Sequence, residues 1–249
     1  MKYDIFMAVA PKDLNKLPYV LDSIYRNVTG FDKVYICSPY RIENARYDIV
    51  SLLDEEVLDF DSSKFNYRPK WVYQQFLKMF QDVTPNDYFM TIDADTIINK
   101  PMEMFQDDKP IWRVGWGQDN PPYYEFNQKM LGFRRTRPHT FLADMNFFYK
   151  PFIKEMLDFV GLSKKGFLER TSEIVTDTCY PSEADLYGNF VFKSHADHYV
   201  LKGLKTHCQG KSSKYDQMIW TDQEIKARIH SMENVDVDTF SIHSWTKGE

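Results

Sequence analysis

Two aspartates stand near the end of the stretch NDYFMTIDADTIINK, residues 86–100. Asp93 and Asp95 follow a run of β-formers and are separated only by Ala94. Carboxylates held that close raise each other's energy unless something offsets the repulsion. Aspartates favour turns, so the pair could simply end a strand. A divalent cation could also sit on them. Mg²⁺ or Mn²⁺ is commonly held by one or two carboxylates, with substrate phosphate oxygens and water completing the shell.

A third chemistry is phosphoryl transfer. In phosphatases of the haloacid-dehalogenase type one aspartate attacks phosphorus and the second is acid and base. That motif usually lies on the first strand and runs on into Thr or Val. Here the fifth position is Ile97, three predicted strands come first, and no downstream motif of lysine and paired aspartates follows.

Other residues could join the pair. In YPSEADLYGNF, Ser182 and Asp185 are spaced like a capping box, with Asp for the usual Glu or Gln. Asp185 therefore has a structural task, whereas Glu183 has none. A carboxylate in the first turn of a helix is stabilised by the dipole, which favours its basic form. Glu183 is the candidate general base, with Asp185 behind it. The plain alternative is that both serve the helix start. His243 stands near the C-terminus between apolar neighbours in FSIHSW; a neutral imidazole there would suit Mn²⁺ better than Mg²⁺ as a ligand. His195 and His198 read as surface residues. Asp144 and Asn146 lie among apolar residues in FLADMNFFYKP. Buried polar groups need partners, and ligand hydroxyls or backbone groups would both serve. In RPKWVYQQFLKMF, Val72, Phe76, Met79 and Phe80 suit a core face, while Trp71, Gln75 and Lys78 share another, with Gln74 between.

The elements that must position these residues alternate. YDIFMAVA reads as a buried strand, DLNKLPYVLDSIYRNVTG as a helix capped by Asp13 or Asn15 and ended by Gly30, and DKVYICSP as a second strand. YDIVSLLDE reads as a weak helix and EVLDF as a short third strand. A strong helix follows with Pro69 in its first turn, and DYFMTIDADTII is the fourth strand. Such a βαβ series predicts an α/β fold with a mostly parallel sheet covered on both faces. Ligands in these sheets bind beyond the carboxyl ends of the strands. Ala10–Asp13, Asp59 with Asp61, and Asp93 with Asp95 should then line one crevice. Beyond residue 100 the pattern is less regular. PIWRVGW and HTFLADMNFFYKP read as strands, PFIKEMLDFVGLS and SEADLYGNFVFKS as helices, and TFSIHSW as a last strand or docked tail.

The net charge of −5 and one short basic run, Arg134, Arg135 and Arg137, argue against a nucleic-acid partner; the run reads as a solvated loop. Three scattered cysteines, Cys37, Cys179 and Cys208, fit a reducing compartment rather than a disulfide framework or zinc site. No run of ~18 apolar residues predicts a transmembrane segment, and the N-terminal apolar run is too short for a signal peptide. The expectation is one soluble cytoplasmic domain.

FMTIDADTIINKPMEMF resembles the DxD region of glycosyltransferases of the GT-A fold. WVYQQFLK, then DADTI, then SEADLYGNF resemble a group of small bacterial and large-DNA-virus glycosyltransferases related to capsular-polysaccharide enzymes; in a virus the compartment would be the host cytoplasm. The resemblance runs from about residue 3 to 245. It implies a Rossmann-like GT-A domain spanning 1–249, with a nucleotide-binding half to about 100 and an acceptor half after it. It implies transfer of a sugar from a nucleotide-diphosphate donor, UDP favoured, to a hydroxyl of a glycan, lipid-linked or protein acceptor, and a divalent metal, Mn²⁺ or Mg²⁺. By resemblance Asp93 and Ala94 contact ribose or donor sugar, Asp93 is a further metal ligand, and Asp95 is the main one. Ala10, Pro11 and Lys12 flank base and ribose, Asp61 takes a base N–H, and Trp71, Gln74 or Gln75 touches the donor. His243 returns to the metal, and Asp144 and Asn146 border the sugar. The competing expectation is a non-catalytic nucleotide-sugar binder, which would have no need of Glu183.

Overall fold

The computed structural model describes residues 1–249 except 45, 116–118, 139, 212–219 and 245–249, and only the backbone of 209–211 and 244. The strands are β1 (Tyr3–Ala8), β2 (Phe31–Ser38), β3 (Ile49–Leu53), β4 (Tyr88–Ile92), β5 (Thr96–Ile98), β6 (Phe105–Gln106), β7 (Lys109–Val114), β8 (Met145–Tyr149), β9 (Val200–Gly203), β10 (Thr206–Lys211) and β11 (Thr239–Ser244). The α-helices are α1 (Leu17–Asn27), α2 (Asp54–Val57), α3 (Pro69–Met79), α4 (Pro121–Leu131), α5 (Lys150–Val160), α6 (Lys164–Ile174), α7 (Glu183–Ser194) and α8 (Asp222–Met232).

A five-stranded sheet in the order β3-β2-β1-β4-β8 carries the fold. The first four strands are parallel and β8 runs antiparallel on β4. This is the mostly parallel α/β sheet expected. All six residues of β1 are buried, as a strand covered on both faces should be. The chain moves one way from β1 to β2 and β3, then crosses back to place β4 on the other side of β1. With right-handed crossovers, that reversal puts α1 and α3 on opposite faces. It also opens a crevice between the carboxyl ends of β1 and β4, where α/β sheets hold ligands.

Residues 47–60 depart from expectation. The predicted weak helix is strand β3, paired with β2 from Val34↔Ile49 to Ser38↔Leu53. The predicted third strand is instead the short helix α2 followed by an extended link. β3 is an edge strand whose residues are all half-buried, so it lacks the alternation that marks a strand. Glu56 Oε2 accepts from the Leu53 amide at 2.7 Å, which closes the turn into α2. The start of α1 differs as well. It has no side-chain cap; Asp13 lies in a 3₁₀ turn and pairs with Lys16 at 2.6 Å. The helix ends at Asn27, and Gly30 takes a left-handed φ of 86° ahead of β2.

The predicted fourth strand is two strands in two sheets. β4 stays in the central sheet, and β5 joins a second sheet of order β10-β11-β5. The break falls on Asp93–Asp95. A third sheet, β6-β7-β9, lies beyond. One contiguous apolar core runs from Tyr3 to Ile242. Within it α7 is buried from Glu183 through Phe192. Its Gly188 is required by close packing: a Cβ there would come within 2.5 Å of the Phe141 ring. No helix among the described residues is long and apolar enough to cross a membrane.

Candidate active site

The turn at Asp93–Asp95 is held at three backbone points. The Asp93 amide donates to Asp144 O at 3.0 Å, the Thr96 amide to Asp93 O at 3.1 Å, and the Ile242 amide to Asp95 O at 2.8 Å. Strand β8 therefore grips one side of the turn and β11 the other. β11 pairs antiparallel with β5, Ser241 opposite Thr96, which brings His243 level with the turn.

The two carboxylates point to different partners. Asp95 Oδ2 lies 2.9 Å from His243 Nδ1. Burial would raise the Asp95 carboxyl, but the bond and charge of His243 overcome it and hold it below the usual range. Burial likewise pushes the imidazole down, and Asp95, with Cys208 adding to it, more than reverses this, raising His243 to about 10. Asp93 Oδ1 accepts from Lys78 Nζ at 2.6 Å, and the same ammonium donates to Glu183 Oε1 at 2.9 Å. The Lys78 and Glu183 side chains are only 7% and 8% exposed, against 37% for Asp93. Burial alone would depress the Lys78 ammonium; the two carboxylates reverse that and hold it above the ordinary lysine range. Lys78 thus meets part of the repulsion between Asp93 and Asp95.

The loop after β1 closes the site from the other side of the crevice. Burial and then the nearby Asp95 raise the Asp13 carboxyl, while Lys16 opposes them. Lys12 also acts on Asp95, lowering it. Ala10 and Lys12 are half-buried and Pro11 is exposed. Gln74 Nε2 donates to Ala8 O at 3.1 Å, which ties α3 to the end of β1. Gln75 is buried, and Trp71 is half-buried in the first turn of α3. Ala94, between the aspartates, is buried.

Other predicted residues carry visible structural tasks. Asp144 Oδ2 takes the hydroxyls of Thr206 at 2.7 Å and Thr239 at 3.2 Å, joining β8 to the second sheet; burial raises its carboxyl. Asn146 is 3% exposed, donates to Ala143 O at 3.2 Å, and leaves Oδ1 buried without a partner. Asp185 is fully buried. Its Oδ1 accepts from the Phe141 amide and Thr140, and its Oδ2 from the side-chain amides of Asn127 and Asn189. Asp61 is exposed and caps a short turn by accepting from the Ser63 amide at 3.0 Å; with Asp59 it follows α2, not a strand.

His195 and His198 are more engaged than surface residues. His195 bonds Glu155 at 2.8 Å, and His198 Nε2 lies 2.7 Å from the Tyr88 hydroxyl. Arg134 and Arg135 pair with Glu125 and Asp119, and Arg137 lies over Phe192. The site residues that sequence reasoning left without a role are Lys78 and Lys16; Asp13 was expected as a helix cap and crevice residue, and it is the crevice place that it takes, paired with Lys16. The signal for Lys78 was a lone cation on an otherwise apolar stretch of α3, FLKMF.

Among the described residues no three His, Cys, Asp or Glu side chains gather into a metal site. Asp95 and His243 form an oxygen–nitrogen pair. Such a pair fits a divalent cation that displaces the imidazole proton and draws its remaining ligands from diphosphate and water.

A family model described as a family of unknown function (DUF6492) matches residues 25–146. That span holds Lys78, Asp93 and Asp95 but stops before Glu183 and His243. No curated protein matches this chain. Similar solved structures include a crystal structure of an active-site mutant of LgtC, at 12% identity, covering 98% of this chain and 88% of that one with a TM-score of 0.49. Another is the galactosyltransferase LgtC in complex with donor and acceptor sugar analogs, at 12% identity, 96% and 86% coverage and a TM-score of 0.48.

Proposed function

We propose that this chain is a metal-dependent glycosyltransferase of the GT-A type, using a nucleotide-diphosphate sugar, UDP favoured, and an acceptor hydroxyl. The observation that carries the reading is the joining of Asp95 to His243 and of Asp93 to Lys78 and Glu183 at the carboxyl end of β4, beside the loop that follows β1. The resemblance of DADTI and SEADLYGNF to such transferases supports it. One domain would divide its work, with residues to about 100 holding the donor and the rest the acceptor.

Asp95 and His243 would hold the cation, Mn²⁺ or Mg²⁺. When bound, it supplies Lewis-acid stabilisation of the leaving diphosphate. Residues 10–12 and Gln74, which Ala8 O holds at the end of β1, would flank base and ribose. Asp93, already oriented by Lys78, would meet ribose or donor sugar. The unpartnered Asn146 Oδ1 would take a sugar hydroxyl. Glu183 has Lys78 as its partner through one oxygen. In an inverting transfer its other oxygen would take the acceptor proton. Asp185, with four donors on it, is a positioning residue that fixes the start of α7 under Glu183.

Incubating the purified chain with UDP-sugars and Mn²⁺, and measuring UDP release, tests the reading. Release that vanishes in Glu183→Gln supports catalysis. Nucleotide binding without release by the wild type would leave a binding protein. Phosphate release from an aryl phosphate would instead favour a phosphatase.

A further inference from the structure

Beside Glu183 lies an aromatic cup that the chemistry above does not use. Trp71 and Tyr123, in the first turns of α3 and α4, lie nearly parallel at 13° with ring centroids 6.4 Å apart. Tyr180, just before the start of α7, meets them edge-on at 5.6 Å and 5.4 Å. Tyr67 tilts against Tyr180 at 5.2 Å. All four rings are half-buried. Arg68 lies over the Trp71 ring, Cζ 4.5 Å from its centroid.

Arg68 is the unexplained residue. A guanidinium has five N–H donors, yet this one makes no hydrogen bond or ion pair with any described residue, and its Nε is buried without a partner. Its backbone is left-handed, φ 43° and ψ 57°, directly before Pro69. Both chirality and the following proline disfavour that conformation for a side chain with a Cβ. Fold stability would be served better by glycine. Strain of this kind persists where a ligand needs the side chain, and a half-buried guanidinium stacked on an indole is a receptor for a planar or phosphate-bearing anion.

We propose that this cup is the acceptor subsite and takes a hexose carrying an acidic group, carboxylate or phosphate. The sugar's apolar face would rest on the aromatic rings, its acid on Arg68, and a hydroxyl would face Glu183. The inference rests on the transferase reading for the word acceptor, but the binding it predicts does not need the donor.

Saturation-transfer NMR and tryptophan-fluorescence titration of the full chain, without nucleotide, test it with methyl glucuronide, glucose 6-phosphate and neutral methyl glucoside. The two acidic sugars separate carboxylate from phosphate. At least one should bind more tightly than the glucoside. Arg68→Gly should weaken that sugar by roughly tenfold or more, the loss of a charge-assisted bond. It should leave the glucoside unchanged and raise the melting temperature. Arg68→Lys should fall between, and Trp71→Leu should weaken all three. Equal binding of acidic and neutral sugars, or indifference to Arg68, would overturn the proposal. So would displacement of the sugars by UDP, which would make the cup a nucleobase site. If UDP with Mn²⁺ binds and no sugar does, the cup fails and the donor reading stands; if acidic sugars bind and no nucleotide does, the cup stands as a sugar site and the transferase reading fails.

Discussion

At the scale of single residues, Lys78 decides the electrostatics of the site. Its ammonium links Asp93 to Glu183 through bonds of 2.6 and 2.9 Å. Removing one member of a buried ion pair costs about 3–5 kcal/mol, because the other charge is left uncompensated. Lys78→Met should therefore lower stability by about 3 kcal/mol in urea unfolding. The double variant with Glu183→Gln should recover part of that loss. A cost below about 1 kcal/mol would show that the pair is not buried as described. Asp185→Asn should cost about 2 kcal/mol, since an amide NH₂ would replace an oxygen that now accepts from Asn127 and Asn189. The strand-end place of the aspartate pair and the place of Glu183 in the first turn of α7 were legible in the sequence, because residue type and local spacing mark strand ends and helix starts. Lys78 stood out only as a lone cation in FLKMF; its partners are 15 and 105 residues away, so local spacing could not name them. Arg68 escaped for a related reason: its backbone φ is a property of the fold, and a single arginine before a proline gives no warning of it.

At the scale of elements, the long apolar runs were readable and the half-exposed ones were not. β1, β2, α1, α3 and α5 fall where periodicity puts them. β3 was misread because an edge strand half-covered on both faces shows neither period. The splitting of DYFMTIDADTII into β4 and β5 was invisible, since both pieces favour strands and only pairing with β11 separates them. That split is what makes the site, for it turns Asp95 toward β11 and Asp93 toward α3. Packing of α7 gives a test. Gly188→Ala would push a methyl group into Phe141. Overpacking of that kind costs about 1–3 kcal/mol; an unchanged urea midpoint would mean that the Phe141 loop gives way freely. His198 gives a pH test well away from the aspartates. Burial lowers its imidazole, with His195 and Lys109 adding to the effect. The folded chain therefore binds its proton less readily than the unfolded chain, whose value is ~6.5. The neutral form's contribution is present above that value and is lost as pH falls through ~6.5 toward the lower folded value. Between pH 7.5 and 5.5, the wild type should lose more stability than His198→Gln. Equal losses would contradict the assignment.

At the scale of the whole molecule, strand order and the second sheet bring residues from distant parts of the chain to one crevice. The reversal between β1 and β4 opens it, β11 delivers His243, and α7 delivers Glu183. The central claim is that this crevice holds a nucleoside diphosphate through a cation on Asp95 and His243. The direct measurement is a thermal-shift panel of UDP, GDP, CMP and dTDP, each with Mn²⁺, Mg²⁺ or EDTA, on wild type and Asp95→Ala. A ligand at 100 times its Kd stabilises the native state by ~2.7 kcal/mol, a readily seen shift. The account predicts a shift for one nucleoside diphosphate, UDP first, only with metal, and its loss in an otherwise folded Asp95→Ala. No shift with any nucleotide, or an undiminished shift in Asp95→Ala, would contradict it.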